Sequence, residues 1–190
     1  MSSAPLFALP SHAADLARIE AALKESVHTP DPYLGEIASH LIVAGGKRLR
    51  PILTVVAAQV AGPADAELHE RSVQGGIACE LVQTGSLYHD DVMDEADTRR
   101  GVDTVNAKWG NLQAILAGDF LLSRASEIAA SLGTEVAALL GFAAALLAYG
   151  TVSALALSVL PDSFNRPFAV PTGVALMGLG LSLWRDRREQ

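Results

Sequence analysis

The stretch that most limits the folds open to this chain runs from Val136 to Leu160, VAALLGFAAALLAYGTVSALALSVL. It contains no ionisable acid or base except the phenol of Tyr149. A polar joint, PDSFNRP, separates it from a second apolar run at residues 168–184, which ends in RDRREQ. A bilayer core about 30 Å thick needs about 20 apolar helical residues to cross it. The first run meets that length and the second is near the lower limit, with Pro171 placed early enough for a membrane helix to tolerate. The expectation is an apolar helical hairpin of two transmembrane helices. Trp184 would sit at the interface, and Arg185, Arg187 and Arg188 on the cytoplasmic side. The competing expectation is a pair of Ala-rich helices buried in an all-α protein.

Nearly all the charge lies before residue 136, so the chain divides into residues 1–140 and an apolar tail, residues 141–190. The first part is helical by pattern. Ser11 is a plausible N-cap, with Leu16, Ile19 and Leu23 recurring at helical spacing. HTPDP breaks that helix. Leu34, Ile37 and Leu41 mark a second, stopped by Gly45 and Gly46. Pro51 with ILTVVAAQVAG suggests a third, Leu68 through Met93 a fourth, and GNLQAILAGDFLLSRASEIAASLG a fifth. No β-type alternation persists anywhere, so the fold class expected is all-α.

Composition excludes several functions. Half the residues are hydrophobic and 18% are charged, which rules out a disordered chain. The net charge of −7 argues against a nucleic-acid partner, because neutralising phosphates needs clustered Lys and Arg. Cys79, the single cysteine, cannot form an internal disulfide and favours a reducing cytoplasm. It reads as a small buried hydrophobe. The N-terminal residues lack early Lys or Arg and make a poor secretory signal.

The charge that remains is concentrated in two places. In SLYHDDVMDEADTRRG, residues 86–101, Asp90 and Asp94 share one helix face and Asp91 flanks them. Three carboxylates crowded together repel one another unless a hard divalent cation sits between them. Mg²⁺ (Mg2+, magnesium) is usually held by one or two carboxylates, several waters and the oxygens of a substrate phosphate. In GGKRLRP, residues 45–51, Lys47 and Arg50 stand at i and i+3 near a helix start. There arginine forks onto phosphate oxygens and lysine supplies a point charge. Taken separately, each cluster is also compatible with a solvated helix end. Together they point to a site that holds two phosphorylated groups close to each other.

GGKRLRP, ELVQTGSLYHDDVMDEADTRRG and GNLQAILAGDFLLSRA closely resemble the polyprenyl synthetase family, the trans-isoprenyl diphosphate synthases. The resemblance runs from about residue 30 to about residue 140, the N-terminal half only. It implies a partial isoprenoid-synthase-type helical bundle. The implied enzyme is a prenyltransferase (a transferase of alkyl groups other than methyl) in isoprenoid biosynthesis. Such an enzyme condenses isopentenyl diphosphate with an allylic diphosphate to give a polyprenyl diphosphate. By that resemblance, Asp90 and Asp94 bind the magnesium that bridges the allylic diphosphate, and Asp91 supports them. Arg99 contacts the allylic diphosphate. Lys47, Arg50 and Arg100 match the isopentenyl diphosphate ligands, and Gln83 stands where the family often has histidine. Gly85 and Ser86, one turn before Asp90, are both small where a bulky aromatic blocks elongation, which implies a long product. Trp109 and Phe120 read as core aromatics, and Asp119 receives no charge role.

A complete family member is longer and carries a second aspartate-rich motif. After Asp119 the only aspartates here are Asp162 and Asp186, and no lysine follows Lys108. A second function therefore stands beside the first. It is a truncated or chimeric, non-catalytic member acting as a membrane-associated diphosphate-binding or partner subunit. A frameshifted tail is a third reading. Expected partners are the two diphosphates and a second chain, in a homodimer or heteromer. The expected location is cytoplasmic, with membrane association through residues 136–184.

Overall fold

The computed structural model describes residues 12–61 and 66–141. Its elements follow in chain order as α1 (His12–Ser26), α2 (Pro32–Val43), α3 (Leu49–Ala61), α4 (Ala66–Met93), β1 (Thr98–Arg99), β2 (Val102–Asp103), α5 (Val105–Trp109) and α6 (Asn111–Ser131). A further helical segment covers residues 134–141, at the edge of the described residues. Among the described residues the fold is all-α, apart from one minimal hairpin. The described residues all lie in one compact unit.

The helix boundaries have local causes. Asp31 caps α2 by accepting from the N–H groups of Tyr33 (2.9 Å) and Leu34 (3.3 Å), and Pro32 occupies the first turn, where a missing N–H costs nothing. Gly45, at φ +93°, ends α2. The expected cap at Ser11 lies outside the described residues. In α1 the helical spacing buries Ile19 and Leu23 completely.

α4 is the spine. Its 28 residues make a rod about 42 Å long, packed mainly against α6 and α3. Both crossings depend on glycine. A Cβ on Gly76 would meet Pro51 Cα at 2.6 Å, and one on Gly85 would meet the Gly118 carbonyl at 2.9 Å. Apolar Val73, Ile77 and Leu81 are buried along α4. Toward its C-terminal end, Glu80, Thr84, Tyr88 and Asp91 are buried as well. At spacings of four, four and three, these form a polar stripe along one helix face. Trp109 and Phe120 are partly buried against the core, as expected of core aromatics.

Two features were not legible as pattern. The hairpin pairs Thr98 with Asp103 and Arg99 with Val102, and two-residue strands have no alternation to detect. Its loop, Arg100–Gly101, has φ +54° and +80°, the two positive values of a type I′ turn. Cys79, expected to be buried, is exposed on α4.

The apolar hairpin expected from residues 136–160 and 168–184 falls almost wholly outside the described residues. Among the described residues, no helix is long and apolar enough to cross a membrane.

Candidate functional site

The acidic turn closes α4. Asp94 lies just past the helix, and its N–H donates to the Asp90 carbonyl at 2.8 Å. The last turn is thereby continued, which keeps the two carboxylates on one face. Asp90 is half-buried and Asp94 exposed. Neither side chain is hydrogen-bonded or ion-paired to a described residue.

Asp91 has different surroundings. It is 1% exposed, and its Oδ1 accepts from Arg99 Nε at 2.6 Å. Its Oδ2 is buried without a hydrogen-bond partner. Burial pushes the Asp91 carboxyl above the usual carboxylate range; the Arg99 contact opposes this, and Asp90 and Asp94 add to it. Asp91 thus holds Arg99 rather than facing outward with its neighbours. Only Nε of Arg99 is used in that contact, so both terminal nitrogens remain for another anion.

The hairpin loop carries the next arginine to the basic segment. Arg100 Nη1 donates to the carbonyls of Leu41 (2.7 Å) and Gly45 (2.6 Å). Its Nη2 lies 4.0 Å from Glu80 Oε1. Burial and the nearby Arg48 both lower its proton affinity, and Glu80 opposes them. The guanidinium stays charged throughout. His40, on α2, steadies the hairpin through a 2.7 Å hydrogen bond to the Asp103 carbonyl, and its ring packs edge-on against Trp109.

Within GGKRLRP the three cations part company. Lys47 is exposed. Arg50 is half exposed, 3.9 Å from Glu80 Oε2. Arg48 was not singled out from the sequence, yet it is one of the most buried residues, at 1% exposure. Its Nε and Nη2 donate to Glu20 (2.7 and 3.2 Å), Nη2 also donates to the Ile42 carbonyl (2.7 Å), and Nη1 donates to Glu80 (3.4 Å). Its backbone sits at φ +47°, a conformation that arginine rarely adopts. Arg48 therefore pins the loop, and Lys47 and Arg50 are the cations left facing solvent. The sequence signal for this was its place between the glycine pair and the helix start, but spacing alone does not say which of three cations turns inward.

Gln83 is half-buried, one turn past Glu80, and its side chain has no described hydrogen-bond partner. Ser86 bonds back to the Gln83 carbonyl at 3.0 Å. Gly85 faces α6, where the close approach to Gly118 and Leu122 already requires a bare Cα. Asp119, given no role from the sequence, lies 3.4 Å from His89 Nε2, which also contacts the Ile115 carbonyl at 3.2 Å. These contacts tie the residue preceding Asp90 to α6.

Among the described residues, no three His, Cys, Asp or Glu side chains gather closely enough to hold a metal unaided. Asp90 and Asp94 do fit a hard cation shared with a bound phosphate. They offer acceptor oxygens one turn apart, uncommitted to any cation of the fold.

Comparison with known proteins places this scaffold. The polyprenyl synthetase family model matches residues 31–158. The chain is 44% identical over 120 residues to a nonaprenyl diphosphate synthase from Mycobacterium tuberculosis, covering 63% of this chain and 35% of that protein. It is 45% identical over 119 residues to heptaprenyl diphosphate synthase component 2 from Geobacillus stearothermophilus, covering 63% and 36%. Among solved structures, a polyprenyl synthase from Caulobacter crescentus, complexed with calcium and isoprenyl diphosphate, superposes with a TM-score of 0.74 at 33% identity. That match covers 83% of this chain and 48% of the other. The chain thus spans about a third of the length of the curated relatives it matches. An all-α scaffold that carries the acidic turn, the arginine hairpin and the basic loop, and a family match over most of its residues, show that this chain belongs to the polyprenyl synthetase family.

Proposed function

We propose that the chain supplies the allylic and isopentenyl diphosphate sites of a long-chain polyprenyl diphosphate synthase. The observation that carries this reading is the Arg99–Arg100 hairpin. One arginine is held by Asp91 beside the open carboxylates of Asp90 and Asp94. The next is held by Leu41 and Gly45 beside the loop that bears Lys47 and Arg50. A Mg²⁺ ion held by Asp90 and Asp94 would supply positive charge to a leaving diphosphate.

In this reading Arg99, oriented by Asp91, donates its terminal N–H groups to the allylic diphosphate. Lys47, Arg50 and Arg100 hold isopentenyl diphosphate, with Gln83 donating an amide N–H. Donors fixed before the reaction stabilise the charge that develops as the allylic carbon–oxygen bond breaks and its electron pair leaves with the diphosphate. The isopentenyl double bond then forms the new carbon–carbon bond, and a proton is lost, with the released diphosphate as its base. Small residues at Gly85 and Ser86, and relatives named for heptaprenyl and nonaprenyl products, support a long chain as product. The relative named component 2 supports assembly with a second chain.

The test is incubation of the purified chain with Mg²⁺, an allylic diphosphate and labelled isopentenyl diphosphate. The expected outcome is labelled, solvent-extractable long-chain product that Asp90→Ala abolishes. If no product forms while Asp90→Ala still abolishes diphosphate binding, the chain is a diphosphate-binding partner subunit instead.

A further inference from the structure

Glu80 is 3% exposed and stands below the basic loop with three guanidiniums within reach. Arg48 Nη1 is at 3.4 Å, Arg50 Nη1 at 3.9 Å and Arg100 Nη2 at 4.0 Å. Only the first is within hydrogen-bond distance, and Glu80 Oε2 is buried without a hydrogen-bond partner. A buried carboxylate left half-satisfied is unfavourable, and a stable core does not retain one without cause.

Arg48 supplies only part of the cause, since its Nη1 donates to Glu80 Oε1 at 3.4 Å and leaves Oε2 without a partner. Glu20 takes its Nε and Nη2, and the Ile42 carbonyl takes Nη2 again. The carboxylate in excess of its needs faces the two arginines that border the open site. They come from different elements, Arg50 from α3 and Arg100 from the hairpin loop. Two like charges brought to one place repel, and an anion between them holds them there.

We propose that Glu80 is a positioning residue, which holds Arg50 and Arg100 convergent but unsaturated so that both can close onto one diphosphate. This rests on the reading of Arg50 and Arg100 as isopentenyl diphosphate ligands. At 3.9 and 4.0 Å neither arginine is hydrogen-bonded to Glu80, and Arg100 is anchored through Nη1 alone, by the Leu41 and Gly45 carbonyls. A small rotation then moves Arg50 onto a phosphate oxygen, and Nη2 of the anchored Arg100 remains to donate to the same anion, while Glu80 still balances part of their charge. The assembly is prepared in advance, so binding does not bear the full cost of gathering the cations.

The test is calorimetric titration of the full chain with isopentenyl diphosphate, at low and high salt. Positioning and simple charge predict opposite signs. Glu80→Gln raises the net positive charge at the site, so plain Coulomb attraction would tighten binding. Positioning predicts instead that binding weakens by about tenfold and stays weaker at high salt. Glu20→Gln is the control. It weakens the hold on Arg48 without touching Arg50 or Arg100, so affinity should stay within about twofold of the wild type even as the melting temperature falls. Unchanged or tighter binding by Glu80→Gln overturns the proposal. So does an equal loss in Glu20→Gln, which would mean that Glu80 acts only through Arg48. If Glu80→Gln does not fold, Glu80→Asp takes its place, with charge kept and reach shortened. A loss of several-fold is expected there, and wild-type affinity overturns the proposal. Failure of the wild-type chain to bind overturns the underlying ligand assignment as well. Wild-type binding that is lost in Arg50→Ala but kept in Glu80→Gln overturns the positioning role alone.

Discussion

Asp90, Asp91 and Asp94 are one residue type within one turn of chain, yet their environments set them different tasks. Asp91 falls in phase with Glu80, Thr84 and Tyr88 on the buried stripe of α4 and meets Arg99 there. Asp90 and Asp94 fall on the open side. Asp91→Asn should therefore destabilise the fold by about 2 kcal/mol, since it weakens a charge-assisted hydrogen bond at a buried position. Asp94→Asn should change stability by less than about 0.5 kcal/mol, as surface substitutions do. Thermal denaturation without added metal checks both, and equal effects would erase the distinction. The sequence showed that three acids cluster. Only the helical phase of Tyr88 and Asp91 hinted at which one turns inward. Cys79 makes a related point. It is exposed, but partial burial of the thiol raises its pKa above the ordinary range, Arg50 opposes the rise and Glu80 adds to it. A raised thiol pKa means less thiolate at any given pH below it. Alkylation by iodoacetamide should thus be slower near pH 8 than for a free cysteine, and its rate should climb with a midpoint above that of a free cysteine. A midpoint at or below that of a free thiol would contradict this environment.

At the scale of the element, α4 carries two adjacent glycines with opposite duties. Gly76 lies against Pro51 of α3, where an added Cβ would come within 2.6 Å of Pro51 Cα. Gly75 has nothing closer than 3.8 Å. Gly76→Ala should cost about 1–3 kcal/mol by forcing α3 and α4 apart. Gly75→Ala should stabilise by up to about 1 kcal/mol, because it adds helix propensity without a clash. Chemical denaturation of the two variants decides this, and a loss at both positions would show that the whole GG pair is needed for packing. From the sequence, a glycine pair in mid-helix reads as a weak point. Helical periodicity nonetheless ran through it correctly from Leu68 to Met93, because apolar Val73, Ile77 and Leu81 keep one phase across it. The β1–β2 hairpin was not legible in this way. Its information lies in two positive φ values at Arg100 and Gly101, and an arginine in the first of those positions gives no turn signal of the usual Asn-Gly or Asp-Gly kind.

At the scale of the whole molecule, Arg50 stands beside Glu80 at one end of the buried α4 stripe, and Asp90 and Asp94 close the helix at the other. The helical bundle and both clusters were visible in sequence because each is local. Their junction was not, since it runs from Asp91 through Arg99 and Arg100 to Leu41 and Gly45, which are far away in the chain. The two clusters should bind diphosphate by separable rules. At the basic loop, Lys and Arg attract the anion directly, so binding needs no metal and weakens as salt screens it. At the acidic turn, carboxylates repel a bare diphosphate, so binding there requires Mg²⁺. Inorganic pyrophosphate at about a hundred times its dissociation constant should stabilise the chain by about 2.7 kcal/mol per site, which is a rise of several degrees in melting temperature. With Mg²⁺ present the wild type should show both contributions, and chelation by EDTA should remove one and leave the salt-sensitive one. In the Asp90→Asn, Asp94→Asn double variant the Mg²⁺-dependent rise should vanish while the other persists. In Lys47→Ala, Arg50→Ala the reverse should hold. A single rise that all of these treatments abolish together would mean one composite site. The hairpin would then join the two clusters into one anion cradle and would not keep two substrates apart.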